Sequence, residues 1–344
     1  MSGIRPICFL GVVVALLVMG GCTRDLELPA IEADHKIVLI GELSAGDSVY
    51  LRAGQSLPVT SRAPMSFGLL NDLQIRISNE ADTFQLTSYV DALAGSLYTL
   101  PFVSSKEILH GRSYVVTAIH PTLGTVTARV AIPASVNAIV ADTASGMYNQ
   151  NRTLKVRVRI DDPAQTEDYY VLECLKQAMT LQGSFLYNGV WMDVRDNMEL
   201  YNSLNSAGGL TVKYDTIVYE RYYRMPLYTT DRNSENAITD GVNDAQHRIL
   251  IRDSRFNGST YETDVYIQVS NPAESAKGKL HFYVKSVSAD YFRFLRTYEQ
   301  YSGGSAFNTF LQPQKSESNV AGGGGFVGGV AAARYTYMVD TLEY

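Results

Sequence analysis

The sequence has few of the residues that usually bring disulfides, metals or nucleic-acid binding to a protein. Only three of its 344 residues are cysteines, and Cys174 is the one that lies beyond the N-terminal segment, so a disulfide framework in the folded part is excluded. The five histidines are scattered, without the spacing of a zinc motif. The formal net charge is −6 and no dense basic run occurs, which argues against nucleic-acid binding.

Motifs for cofactors and nucleophiles are also missing. Gly323–Gly328 fits the spacing G-x-G-x-x-G, but a dinucleotide site needs a helix after the glycines, and Ala333–Val339 has the composition of a strand. We therefore expect no cofactor, and expect the glycines to allow a tight crossing or a bulge. No nucleophile elbow occurs. Cys174 lies in an apolar strand-like segment and is predicted to be a small buried hydrophobic residue.

The N-terminus predicts membrane attachment through a lipid. Arg5 precedes the apolar run Ile7–Met19, and two glycines lead to Cys22. This order is typical of a bacterial lipoprotein signal peptide over residues 1–21, which is removed before Cys22 is acylated. A helix over that run spans only about 20 Å, less than a bilayer core of ~30 Å. An ordinary secretory signal or an uncleaved anchor is the alternative.

Residues 22–35 are predicted to be a lipidated tether. Thr23-Arg24-Asp25, followed by Glu27, is similar to the export tag of surface lipoproteins in Bacteroidota. We therefore expect an outer-membrane protein that is exposed at the surface rather than facing the periplasm.

Alternating apolar and polar residues predict a mainly β fold of two β-sandwich-like domains. Pro133 ends the first group of strands, which gives an Ig- or transthyretin-like domain over 36–133 and a β-rich domain over 134–344. The predicted strands are Lys36–Leu43, Ser48–Arg52, Leu73–Ser78, Thr83–Tyr89, Ser96–Pro101, Arg112–Ile119, Thr125–Ile132, Thr153–Ile160, Asp168–Gln177, Leu210–Arg221, Arg248–Arg252, Thr263–Val269 and Lys279–Ser286.

One helix is predicted, over residues 288–302, packed on the second domain. Tyr291, Phe292, Leu295 and Tyr298 fall on one face of it. Two polar stretches, 193–209 and 229–246, exceed ordinary connections and are either binding loops or mobile surface.

Two acidic segments were weighed as cation sites. Asp161-Asp162 and Glu167-Asp168 bracket a proline, and a second segment runs from Asp231 to Asp244 without the pattern of a calcium loop. Either could approach a cation, and a solvated acidic loop is the alternative. The sequence predicts no metal ligands and no catalytic residues.

Tyrosine is enriched, with 23 residues, and several lie close together in the segment YDTIVYERYYRMPLY. Aromatic rings of this kind suit both sugar faces and protein interfaces. The candidate contact residues for a partner or ligand are Tyr219, Tyr222, Tyr223 and Tyr228, with packing between strands as the alternative.

The C-terminal third resembles a known family. Phe256-Asn257-Gly258, the segment Lys285–Gln300, Ser318-Asn319-Val320 and the glycine-rich run Gly322–Gly329 are similar to lipoproteins of the domain-of-unknown-function 4249 family. The resemblance implies an all-β lipoprotein, often accompanying TonB-dependent outer-membrane receptors, and it implies no catalytic residues.

These observations lead to one expected function and two alternatives. We expect a non-enzymatic accessory or interaction partner of a TonB-dependent uptake receptor. A glycan- or matrix-binding surface lipoprotein is the first alternative, and an unrecognised hydrolase is the second.

Overall fold

Strands make up most of the protein. The computed structural model describes residues 35–56, 70–88, 100–148, 150–236, 238–239, 242–243, 245–268, 278–302 and 317–339, and from Lys36 onward these belong to one compact unit. The strands are β1 (Ile37–Ser44), β2 (Ser48–Gln55), β3 (Gln74–Ser78), β4 (Thr83–Ser88), β5 (Leu100–Glu107), β6 (Ser113–His120), β7 (Gly124–Ala131), β8 (Ala138–Tyr148), β9 (Asn151–Asp161), β10 (Tyr169–Tyr187), β11 (Val190–Asp193), β12 (Val212–Arg224), β13 (Leu227–Thr229), β14 (Ile238–Thr239), β15 (Val242–Asn243), β16 (Arg248–Arg252), β17 (Thr260–Gln268), β18 (Gly278–Val287), β19 (Val320–Ala321) and β20 (Gly324–Val339).

The described residues also contain two α-helices, α1 (Met198–Ala207) and α2 (Ala289–Ser302), and a 3-10 turn over Asp253–Arg255. The prediction of a mainly β, sandwich-like fold with a short helix near the C-terminus is confirmed. Helix α2 was predicted over 288–302. The expectation of a single helix was wrong, because α1 forms inside the polar stretch 193–209. Neither helix is long and apolar enough to cross a membrane.

The first core lies among the strands of residues 36–133. These pair in the order β1-β2-β5-β4-β3-β6-β7, and β4 joins the first three strands to the last three. The alternation predicted for β3 is present, since Ile75 and Ile77 are buried while Gln74 and Arg76 are exposed. Alternating burial on β3, β6 and β7 contributes to a single apolar cluster in this group of strands.

The second core lies between two sheets. A four-stranded sheet, β13-β17-β9-β8, shares an apolar cluster with β10, β16 and β18 of a longer sheet. Cys174 belongs to this cluster and is fully buried, which raises the pKa of its thiol well above the ordinary value. The prediction that Cys174 is a buried hydrophobic residue is therefore confirmed.

Helix α2 covers the opposite face of the longer sheet. Tyr291, Phe292 and Leu295 pack with Val171 and Leu250, whose strand neighbours point into the second core. Tyr298, the fourth residue of the predicted stripe, stays half-exposed. The C-terminal half thus has three layers, with four strands, the long sheet and α2 in that order.

Strand β20 connects the two halves of the sheet. Its first part pairs in parallel with β1, and its second part pairs antiparallel with β18, so one 14-stranded sheet extends on both sides of the predicted boundary at Pro133. The assignment of domains to 36–133 and 134–344 stays a prediction. The glycine-rich run lies in this strand because neighbours approach its backbone closely: a Cβ on Gly325 would overlap the Leu39 carbonyl oxygen, and one on Gly329 the Ala131 carbonyl oxygen.

Other differences from the predicted strands follow from local pattern. The strand predicted over Ser96–Pro101 overlaps β5, Leu100–Glu107, at its last two residues, and its first four lie outside the described residues. Strand β8 was not predicted, because its exposed edge position removes the alternation that marks a half-buried strand.

Candidate functional site

A groove of about 720 Å³ opens beside α2, over the face of the long sheet that the helix covers. Most of its residues come from β1, β2, β10, β18, β20 and α2, and β12 and β16 contribute one arginine each. One wall is aromatic, because the rings of Phe294 and Phe326 stack at 4.7 Å, and Tyr291 and Tyr298 lie at 5.6 and 6.0 Å from this pair. Concave surfaces with such walls are the usual places for ligands.

The base of the groove holds a buried network of five charged side chains. Glu173 accepts a charge-assisted bond from Lys285 Nζ and another from Arg248 Nε at 3.2 Å. Lys285 also reaches Glu42 Oε2 at 2.7 Å, and Arg248 Nη1 reaches Glu299 Oε1 at 2.6 Å. Arg224 of β12, which is largely exposed, adds an ion pair of 3.5 Å to Glu173 Oε2, so three acids and three bases connect β1, β10, β12, β16, β18 and α2.

The charges of the network keep Glu173 and Lys285 ionised. Burial alone would raise the pKa of Glu173, but the charges of Lys285 and Arg248 outweigh it and hold that pKa at about 2. Burial would likewise lower the pKa of Lys285, whereas Glu173 and Glu42 raise it. Tyr291 donates to Glu42 Oε1 at 2.6 Å, and burial together with the Glu42 charge raises the pKa of its phenol. Because Glu173 stays ionised at neutral pH, it has no proton to donate as a general acid.

A ribbon of three strands extends from the long sheet. Beyond Ala178, the strands that pair with β10 among the described residues are β11 and β12. Helix α1 packs beside them through Phe185 and Tyr201, whose ring centroids lie 5.7 Å apart. We call residues 179–218 the arm. Its hairpin turns at Asn188-Gly189, where both residues have positive φ, as a two-residue type I′ turn requires.

The arm, together with the rest of β12, carries half of the exposed large hydrophobic side chains in the described part of the chain. Eight of sixteen such residues fall there: Leu186, Tyr187, Val190, Trp191, Met198, Tyr214, Tyr222 and Tyr223. Trp191 is the one tryptophan of the sequence, is 50% exposed, and stands across the hairpin from Leu186. Exposed apolar side chains gathered in this way are typical of interaction surfaces.

The comparison with family models decides what kind of chain this is. The domain of unknown function DUF4249 matches residues 23–336, which is most of the sequence. The chain belongs to this family. The resemblance noted in the sequence is confirmed, and a search of curated proteins found no match.

In this DUF4249 protein, the tyrosines predicted to contact a partner do not share one environment. Tyr222 and Tyr223 are exposed on β12, and the Tyr222 ring lies 5.8 Å from His281 on the face of the sheet that bears the groove. Tyr228 is buried instead, because it packs against Tyr148 and donates to Gln268 Oε1 at 3.1 Å. The side chain of Tyr219 lies outside the described residues, although its backbone belongs to β12.

The structure describes the predicted lipid anchor and the second polar stretch only in part or not at all. Cys22 and the signal segment lie outside the described residues. The stretch 229–246 is described in part, and its first turn is held to β16 and α2 because Glu235 pairs with Arg252 and Arg296, both at 3.1 Å. This part of the stretch is therefore fixed rather than an extended binding loop.

The buried network and the arm were both missed in the sequence. Glu173 and Lys285 stand within the otherwise apolar strand segments YYVLECLKQ and LHFYVKSV, and a charge at such a position signals a buried partner. Asn188-Gly189 between apolar residues is likewise a hairpin signal. No local sequence pattern, however, indicates that Glu173 and Lys285 form an ion pair with each other.

Proposed function

We propose that this DUF4249 protein is a lipid-anchored outer-membrane lipoprotein that works without turnover, by binding another protein of the envelope through the arm. A TonB-dependent uptake receptor is the partner that the family resemblance suggests. We further propose that Cys22 carries the lipid and that the folded part is exposed at the cell surface.

The exposure of Trp191 is the observation that carries this proposal. Burying large apolar area is favourable, and tryptophan and tyrosine are the residues most often found at the centre of protein interfaces. Trp191 stands instead half-exposed on a hairpin, with Leu186 beside it and Tyr214 60% exposed on β12. Strand β10 runs from the long sheet into the arm, with a register shift between Gln177 and Met179, and its pairing with β11 and β12 holds these rings on hydrogen-bonded strands.

A native pull-down with matched variants tests the proposal. The tagged full chain is extracted from membranes of its own host as the unaltered protein, as Trp191→Ser, and as Leu109→Ser, which removes an equally exposed side chain in the first half of the chain. We expect a TonB-dependent receptor to co-purify with the unaltered protein and with Leu109→Ser, and to be reduced at least tenfold with Trp191→Ser. Full retention by Trp191→Ser contradicts the arm, and failure of the unaltered protein to retain any receptor contradicts the function.

The groove favours a second candidate, a glycan-binding surface lipoprotein. Sugar faces pack on aromatic rings, and its wall presents Phe294 and Tyr298 above a charged base. In that case glycan binding by the full chain would be lost with Tyr298→Ser and kept with Trp191→Ser. The groove does not favour a hydrolase that uses Glu173 as its general acid, because Lys285 and Arg248 lower the pKa of that carboxyl to about 2.

A further inference from the structure

Three aspartate carboxylates converge at one end of the second core, away from the groove and the arm. Asp162 follows β9, Asp168 precedes β10, and Asp253 opens the 3-10 turn after β16. One oxygen from each lies within 4.8 Å of the other two. Asp162 and Asp253 are buried, and Asp168 is half-buried.

The hydrogen bonds of these carboxylates leave one buried oxygen without a partner. Asp162 accepts from Tyr170 Oη at 2.6 Å and from the Gly258 amide at 2.9 Å. Asp253 Oδ2 accepts from the Asp168 amide at 2.7 Å, but Asp253 Oδ1 is completely buried and accepts nothing. A buried carboxylate oxygen with no donor carries the full cost of its lost hydration.

The charge of the cluster is also uncompensated. Within the described part of the chain, no lysine or arginine forms an ion pair with Asp162, Asp168 or Asp253. This differs from the network beneath the groove, where each acid meets a base. Carboxylates brought together in a dry site repel one another unless a cation or a proton neutralises them.

We propose that this cluster binds one calcium ion, with Asp162, Asp168 and Asp253 as the protein ligands. All the donors on offer are carboxylate oxygens, with no imidazole or thiolate among them, which suits a hard divalent cation rather than zinc. The unpartnered Asp253 Oδ1 supplies an oxygen that no protein donor satisfies. The ion would tie together the β9–β10 and β16–β17 connections, and so stabilise the second core.

This site departs from the sequence expectation of no metal ligands. The acidic segment weighed there contributes Asp162 and Asp168, while Asp161 turns away to accept from Thr260 Oγ1 at 2.7 Å. Asp253 comes from a different segment, 85 residues further along than Asp168.

Calcium binding and thermal unfolding of the detergent-purified full chain test the proposal. The unaltered protein, Asp253→Asn and Asp142→Asn, a variant of an exposed strand aspartate, are each compared in EDTA and in ~1 mM calcium, a concentration that suits sites of extracellular proteins. We expect calcium to raise the unfolding midpoint of the unaltered protein and of Asp142→Asn by about 2–4 °C. We expect it not to move the midpoint of Asp253→Asn.

The unfolding midpoints in EDTA give a second test, in which the variant should not be the less stable protein. Without calcium, Asp253→Asn should be at least as stable as the unaltered protein, because its amide removes one uncompensated charge and can donate to a neighbouring carboxylate. Equilibrium dialysis should find one calcium per unaltered chain and less than one tenth of that on Asp253→Asn. If Asp253→Asn does not fold, Asp168→Asn takes its place, since that residue is half-buried.

Two results would overturn the site. One is a midpoint of the unaltered protein that calcium leaves unmoved, with no ion retained in dialysis. The other is an equal shift in all three proteins, which would show calcium acting elsewhere. Both readouts are independent of whether the arm binds a receptor.

Discussion

Replacing Glu173 with glutamine removes the central charge of the network beneath the groove while keeping the size of the side chain. Lys285 would keep Glu42 and Arg248 would keep Glu299, whereas Arg224 would lose its ion pair with Glu173 but is exposed to water. The lost contribution can be estimated from the pKa, which is about 2 in the folded protein against 4.5 for an ordinary glutamate. This difference corresponds to about 3 kcal/mol of folding free energy at neutral pH.

The sign of the pH dependence follows from the same difference. A carboxyl whose pKa is lower in the folded state contributes its full stability above the pKa of the unfolded chain, and loses it as the pH falls through the folded value. The stability gap between the unaltered protein and Glu173→Gln should therefore be about 3 kcal/mol at pH 7 and shrink between pH 5 and pH 2.

Urea unfolding of the full chain, followed by circular dichroism of its strands, measures this gap. Glu262→Gln is the matched control, because Glu262 is an exposed strand glutamate and its loss should change stability by less than about 0.5 kcal/mol. Equal stability of Glu173→Gln and the unaltered protein at pH 7 would refute the reasoning, and so would a gap that persists undiminished at pH 2.

Three further predictions concern backbone packing, the anchor and the tyrosines. Gly329→Ala should cost about 1–3 kcal/mol in a denaturant titration, since its Cβ would overlap a neighbouring carbonyl oxygen, whereas Gly146→Ala, in open space, should cost less than 1. Cys22→Ser should leave the protein unprocessed or released from membranes on fractionation, and a processed, membrane-bound variant would contradict lipid anchoring. Tyr228→Ala should cost about 3 kcal/mol of stability and Tyr222→Ala under 1, because only the first ring is buried; equal costs would contradict their placement.

Much of the fold could be predicted because the alternation of apolar and polar residues along a strand indicates which of its faces is buried. The segment TLKVRVRI alternates apolar and polar residues and forms β9, which has one face on the second core. Helix α2 was predicted for the same reason, since its apolar residues recur at helical spacing. Helix α1 was missed because it has no buried residue, so nothing in its sequence marks a face that packs.

The sites could not be predicted, because their parts come from distant segments. The Lys285–Glu42 pair joins residues 243 apart, and Arg248 pairs with Glu299 across 51. The glycine-rich run could not be assigned to a strand for a similar reason. Glycine is depleted in strands, and the close approach of the β1 backbone, which leaves no room for a Cβ, is seen only in the folded structure.

Site-specific cross-linking in intact membranes tests most directly the claim that the arm binds an envelope protein. A photoreactive aromatic amino acid would replace Trp191 in one strain and Leu109 in another, with the lipid anchor left in place. We expect a covalent adduct with a TonB-dependent receptor from position 191 and none from position 109. No adduct from position 191, or equal adducts from both positions, would contradict it.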